Sequence, residues 1–181
     1  PYRWLEADAR SDQQVEAWVK AQNAITQDYL DDLPGREVFR RRLADLMRSE
    51  QYGIPQNRSG HYFFTRHDGV ANQSVLFVRD AVTGRDRLLI DPNTWSDDNA
   101  DALAEWSASD DGQFLAYAVQ TGGTDWRTIR VMDVRTGEVL EDRLDWARFT
   151  RIAWVPDGSG FFYSRYPEPK GGATSSANVT G

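Results

Sequence analysis

The spacing of apolar residues divides this chain into two kinds of sequence. Over the first fifty residues the period is helical. Val15, Trp18, Val19, Ala21, Ile25, Tyr29 and Leu30 keep an apolar stripe at the i, i+3, i+4 spacing of one helix face. Ser11, followed by acidic and amide residues, is the expected N-cap, because its hydroxyl can accept from the free N–H groups of a first turn. Pro34-Gly35 breaks this helix, and Val38, Phe39, Leu43, Leu46 and Met47 carry a second stripe. Arg36, Arg40, Arg41, Arg42 and Arg48 stand opposite it, as a solvated side that pairs with acidic neighbours.

From about Tyr52 the period becomes two. Tyr62–Thr65, Val75–Val78, Leu88–Ile90, Phe114–Val119, Trp126–Val134, Val139–Leu140, Ile152–Trp154 and Phe161–Ser164 read as strands. Arg66-His67-Asp68-Gly69 reads as a hairpin turn. The turns recur in order. Asp80-Ala81-Val82-Thr83-Gly84 returns 53 residues later as Asp133-Val134-Arg135-Thr136-Gly137, and the Asp111-Gly112 step returns 46 residues later as Asp157-Gly158. Asn57–Phe64 is a weaker copy upstream. Each unit reads turn, strand, polar loop, strand, Thr-Gly turn, strand. A period of about 40 to 50 residues with several strands per repeat is that of β-propeller blades. Two to three units are too few to close a ring, which takes roughly four to eight. The expectation is a mainly β chain forming part of a propeller.

Composition narrows the functions. The formal net charge is −7, which argues against a surface that tracks nucleic-acid phosphates. With no cysteine, disulfide frameworks and thiolate metal sites are excluded. No apolar run approaches the roughly 18 residues of a membrane span, and no signal-like segment opens the chain. The compartment stays open between cytoplasm and periplasm. The small polar stretch from Gly171 to Asn178 follows a half-finished repeat and reads as a flexible loop.

Candidate chemistry within the chain is thin. Gly158-Ser159-Gly160 lacks the spacing of a nucleophile elbow. The two histidines, His61 and His67, lack metal-ligand spacing and read as turn residues. Asp97-Asp98, Asp101 and Asp110-Asp111 do not fit a calcium loop and read as turn formers. Neither a metal nor a cofactor is expected.

Several ordered stretches carry more than generic propeller logic. They are Pro1-Tyr2-Arg3-Trp4-Leu5-Glu6, Val19-Lys20-Ala21-Gln22-Asn23, Asn72-Gln73-Ser74-Val75-Leu76 and Leu89-Ile90-Asp91-Pro92-Asn93 with Ser96-Asp97-Asp98. Thr124-Asp125-Trp126-Arg127-Thr128-Ile129 and Ala153-Trp154 with Asp157-Gly158 and Phe161-Phe162-Tyr163 follow. From residue 1 to about 168 the chain resembles the N-terminal portion of the prolyl oligopeptidase family, serine peptidases that cut short peptides after proline.

The resemblance implies a seven-bladed β-propeller capping an α/β-hydrolase domain that lies outside this chain. Residues 1–50 would be a helical arm packed on that hydrolase, 51–170 blades one, two and the start of three, and 171–181 a flexible loop. The Ser, Asp and His of the triad fall beyond the chain, so no catalytic residue is assigned here. Two positions match propeller residues near substrate. Phe149 corresponds to a phenylalanine lining a hydrophobic subsite upstream of the scissile proline, although from its own context it reads as a strand-end core aromatic. Asp125 corresponds to an acid facing the hydrolase near a substrate-binding arginine, although it also reads as a plain turn residue. The implied partners are short proline-containing peptides and the protein's own remaining blades and hydrolase, in a monomer, with no nucleic acid or membrane. Two alternatives stay open: a stand-alone propeller that binds a protein partner, and a related oligopeptidase that cuts after basic residues.

Overall fold

The computed structural model describes residues 2–9 and 11–168; the expected loop at 171–181 lies outside the described residues. The chain divides between Ser49 and Glu50 into two compact units.

The first unit holds two helices. Helix α1 spans Gln13–Asp31, and its N-cap is Asp12, one residue beyond the expected Ser11. The Asp12 carboxylate accepts from the backbone N–H groups of Gln14 at 2.9 Å and Val15 at 3.1 Å. The Ser11 hydroxyl instead donates to the Asp8 carbonyl. A carboxylate caps as well as a hydroxyl and adds a favourable charge at the positive helix end. Helix α2 spans Arg36–Met47, with Arg40 paired to Glu37 and Arg36 to Asp31. Much of the apolar stripe is exposed, including Ile25, Tyr29, Val38, Phe39, Leu43 and Met47. Amphipathic helices form where such a stripe can be covered.

The second unit is antiparallel β. Strands β1 (Gln51–Tyr52), β2 (Gln56–Arg58), β3 (His61–His67), β4 (Val75–Asp80) and β5 (Asp86–Ile90) form one sheet, in which β1 and β2 both pair along β3. Strands β6 (Asp101–Ala108), β7 (Phe114–Thr121), β8 (Arg127–Asp133) and β9 (Val139–Ala147) form a four-stranded meander in chain order. A short hairpin, β10 (Ala153–Trp154) with β11 (Phe161–Phe162), begins a third sheet. The Arg66–Gly69 hairpin is longer than expected: β3 runs to His67, β4 starts at Val75, and the Asp68 carboxylate holds the loop by accepting from Val70 and Ala71.

Strand β7 shows why the repeat packs as it does. Period-two alternation sends Leu115 and Tyr117 to one face and Ala116 and Ala118 to the other. The first pair joins Phe63, Leu76, Val78 and Ile90 of the first sheet in one buried cluster. The second pair joins Ile129, Val131, Ala147 and Ile152, with Trp154 and Phe161 of the third sheet packed against them. The small alanines leave room for those rings. Both faces of the second sheet are therefore covered, as blades require. The Trp154 indole N–H donates to the Ser107 carbonyl at 2.9 Å, a polar tie between the second sheet and the third.

Candidate functional site

In a four-stranded meander, the β7–β8 turn and the segment after β9 fall at the same end of the sheet. That topology brings Asp125, in the turn between Thr121 and Arg127, towards Phe149, in the segment between Ala147 and Ala153. The two do not meet directly. Arg148 lies between them.

The Arg148 side chain is only 7% exposed. Its guanidinium donates to the Asp125 carboxylate at 3.1 Å. It sits 5.2 Å from the centre of the Trp126 ring and 4.5 Å from that of Phe149, within the range of cation–π attraction. Trp126 is itself buried and meets Trp146 and Tyr166 edge to face at 5.7 and 6.1 Å. Phe149 is 67% exposed, so the strand-end core reading does not hold for it. Asp125 is more than a turn former: it is the ion-pair partner of a buried cation, with about half of its side chain open to solvent.

The segment carrying Phe149 is fixed along its length. The Tyr166 N–H donates to the Trp146 carbonyl. The Ser164 N–H donates to the Thr150 hydroxyl at 2.6 Å. The Ile152 N–H donates to the Glu105 carboxylate at 3.0 Å, and Arg127 lies 3.6 Å from the same carboxylate. Trp146 and Phe149 both have left-handed backbones, with φ of 64° and 48°. Bulky residues seldom adopt that region, at a cost of about 1–3 kcal/mol each, and persist there only when their surroundings over-determine them. The bonds at Trp146, Arg148, Thr150 and Ile152 do so. Next to this segment, Asp145 accepts from Arg143 and from the Thr128 hydroxyl, and the Arg143 bond, the larger influence, holds its carboxyl below the usual carboxylate range.

Chemically, the arrangement presents an aromatic face beside a partly open carboxylate. Such an arrangement is suited to binding and orienting an apolar group rather than to proton or acyl transfer. The histidines lie elsewhere, at the two ends of β3. His67 Nδ1 accepts from the Gly69 N–H at 2.9 Å, and His61 lies 4.0 Å from Asp80. Within the acidic clusters Asp98 and Asp111 are turn acceptors: Asp98 takes the Ala100 N–H, and Asp111 takes the Ser109 hydroxyl and the Gln113 N–H. Asp101, expected as a turn former, instead opens strand β6 opposite Thr121. A cavity of about 510 Å³ lined by His61, Arg85, Arg87 and Arg135 lies at the Asp133 end of β8, the opposite end from Asp125. The residue that sequence reasoning missed is Arg148. A charge inside Ala147-Arg148-Phe149-Thr150 carries no mark of burial, since its partners Asp125 and Trp126 lie more than twenty positions upstream.

Successive antiparallel sheets, the complete meander β6–β9 with a neighbour packed on each of its faces, define this chain as a β-propeller segment. The chain belongs to the prolyl oligopeptidase family: the model of that family's N-terminal β-propeller domain matches residues 1–180. It is 37% identical over 176 residues to a prolyl endopeptidase of Elizabethkingia meningoseptica, covering 97% of this chain and 24% of that protein. It is 31% identical to the dual function macrocyclase-peptidase of Amanita bisporigera, over 92% of this chain and 25% of that protein. A solved prolyl endopeptidase structure superposes on 94% of this chain and 25% of its own with a TM-score of 0.85 and 32% identity. Prolyl oligopeptidase B of Galerina marginata, solved with a 35-residue substrate, superposes with a TM-score of 0.76 at 28% identity, over 92% of this chain and 26% of its own. The chain thus spans about a quarter of the length of the relatives it matches.

Proposed function

We propose that the intact protein containing these residues is a serine endopeptidase that hydrolyses short peptides on the carboxyl side of proline. The described sheets are the first blades of a seven-bladed ring that acts as gate and size filter, and the triad belongs to a hydrolase domain outside this chain. Residues 1–50 are the arm that packs on that domain. Their open apolar stripe supports this role, since a stripe of that size marks a contact surface. Phe149 offers its ring to an apolar side chain upstream of the proline, and Asp125 sets the local potential beside it.

The observation that carries the reading is the convergence of Asp125 and Phe149 on one buried arginine at one end of the sheet, in a chain 37% identical to a prolyl endopeptidase. The test is turnover by the intact protein. A short peptide with an internal proline should be cleaved after that residue, its proline-to-alanine counterpart should not, and a folded proline-containing protein should survive. Absence of turnover on every short prolyl peptide, with the protein folded, overturns the proposal in favour of a binding scaffold. Cleavage after Lys or Arg instead assigns it to the basic-specific relatives.

A further inference from the structure

We propose that Arg148 is a positioning residue that sets how strongly the protein discriminates among peptides by the side chain upstream of proline. The inference rests on the reading of Phe149 given above and names the residue that makes it effective. Phe149 projects from the surface on a left-handed backbone. A ring held only at its Cβ would sample several rotamers and lose entropy on binding an apolar side chain. The flat guanidinium of Arg148 lies 4.5 Å from the ring centre, with Trp126 5.2 Å from the same guanidinium. Asp125 fixes the remaining freedom by accepting from it at 3.1 Å. Pinning the guanidinium therefore pins the ring.

Burial supports a geometric role. Arg148 Nε is buried without a partner among the described residues, and so is Trp126 Nε1. A buried cation with a single carboxylate and an idle donor is a poor source of stability, because desolvation offsets much of the attraction. Apolar side chains of similar volume would fill the space at lower cost. What they cannot supply is a rigid plane that stacks and pairs at once. Lysine cannot either, since its ammonium is a point charge without a face.

The test uses the intact protein and two prolyl peptides: a minimal one, and a longer one with leucine or phenylalanine upstream of the residue preceding proline. The readout is the ratio of kcat/KM for the longer to that for the minimal peptide. Phe149→Ala should lower this ratio about tenfold, from the apolar contact it removes. Arg148→Met should lower it about three- to tenfold, the scale of a lost cation–π contact, with the loss in KM. Arg148→Lys should lower it as well, because it keeps the charge and lacks the plane. In the double variant Arg148→Met/Phe149→Ala the ratio should fall no further than in Phe149→Ala, because both act through one ring. If Phe149→Ala lowers the ratio and neither Arg148 variant does, the positioning role is refuted while the subsite stands. If the two losses multiply, the residues act independently and the role is likewise refuted. If Phe149→Ala leaves the ratio unchanged, the subsite falls and this inference with it. A merely structural arginine would depress both peptides equally and leave the ratio where it was, which also refutes it. Should Arg148→Met fail to fold, Arg148→Lys decides, because it retains the charge that pairs with Asp125 and removes only the plane.

Discussion

Leu115 and Ala116 are adjacent on β7 and both fully buried, yet they face different neighbours. This allows two opposite perturbations of one strand. Leu115→Ala removes three carbons from the cluster shared with the first sheet. At about 0.8 kcal/mol per buried carbon the transfer loss is about 2.4 kcal/mol, and the cavity left behind raises it to about 3–5 kcal/mol. Ala116→Leu adds three carbons where Trp154 and Phe161 pack, and over-filling such a site costs about 1–3 kcal/mol. The assay is urea unfolding of the intact protein, followed by fluorescence from the tryptophans on these faces. Both variants should shift the midpoint down without changing the slope. A neutral or stabilising Ala116→Leu would refute the reasoning, because an ordinary two-layer sheet leaves one face of a central strand open to larger residues.

Two further outcomes follow from the turns. Gly112 and Gly137 both have left-handed backbones, with φ of 72° and 77°. A Cβ at Gly112 would stand 3.0 Å from the Arg58 carbonyl, whereas one at Gly137 meets nothing within 4 Å. Gly137→Ala should therefore cost about 1 kcal/mol of backbone strain, and Gly112→Ala clearly more in the same urea measurement; equal costs would show that the contact yields freely. The Asp80 and Asp133 carboxyls are held below their ordinary range, chiefly by the backbone N–H groups of Thr83 and Thr136. A carboxyl depressed on folding stabilises fully above its unfolded value of about 3.9, and that contribution is lost as pH falls through the folded value. Stability from these groups should stay flat between about pH 7 and 5 and decline below about pH 4. Asp80→Asn/Asp133→Asn should flatten that acid limb, and an unchanged limb would remove the two turns as its source.

Much of the fold was legible because turn chemistry is local. The Asp-to-Thr-Gly steps and the two helical stripes need only their own residues to be recognised. Strand β6 was not seen. Asp101-Ala102-Leu103-Ala104-Glu105 has little intrinsic strand preference and is a strand because β7 pairs with it along its length. Its Glu105 is held by Arg127 and by the Ile152 N–H, partners from later in the chain. The same holds at the site. Asp125 and Phe149 were reached through family resemblance, whereas the arginine joining them emerges only once the β7–β8 turn and the segment after β9 are brought side by side. The left-handed backbones of Trp146 and Phe149 run against the preferences of aromatic residues, so no local rule anticipates them.

The second face of β7 finds its covering rings on the order of 40 residues downstream, and at a synthesis rate of about 5–20 residues per second that interval lasts several seconds. While the chain is being made, Ala116, Ala118 and Ile129 stand bare on a growing meander, complete only at Ala147, until Trp154 and Phe161 leave the ribosome. Each sheet is thus finished by the one after it. Assembly of these sheets follows the direction of translation, and the nascent chain is most open to chaperones or to wrong partners between one repeat and the next.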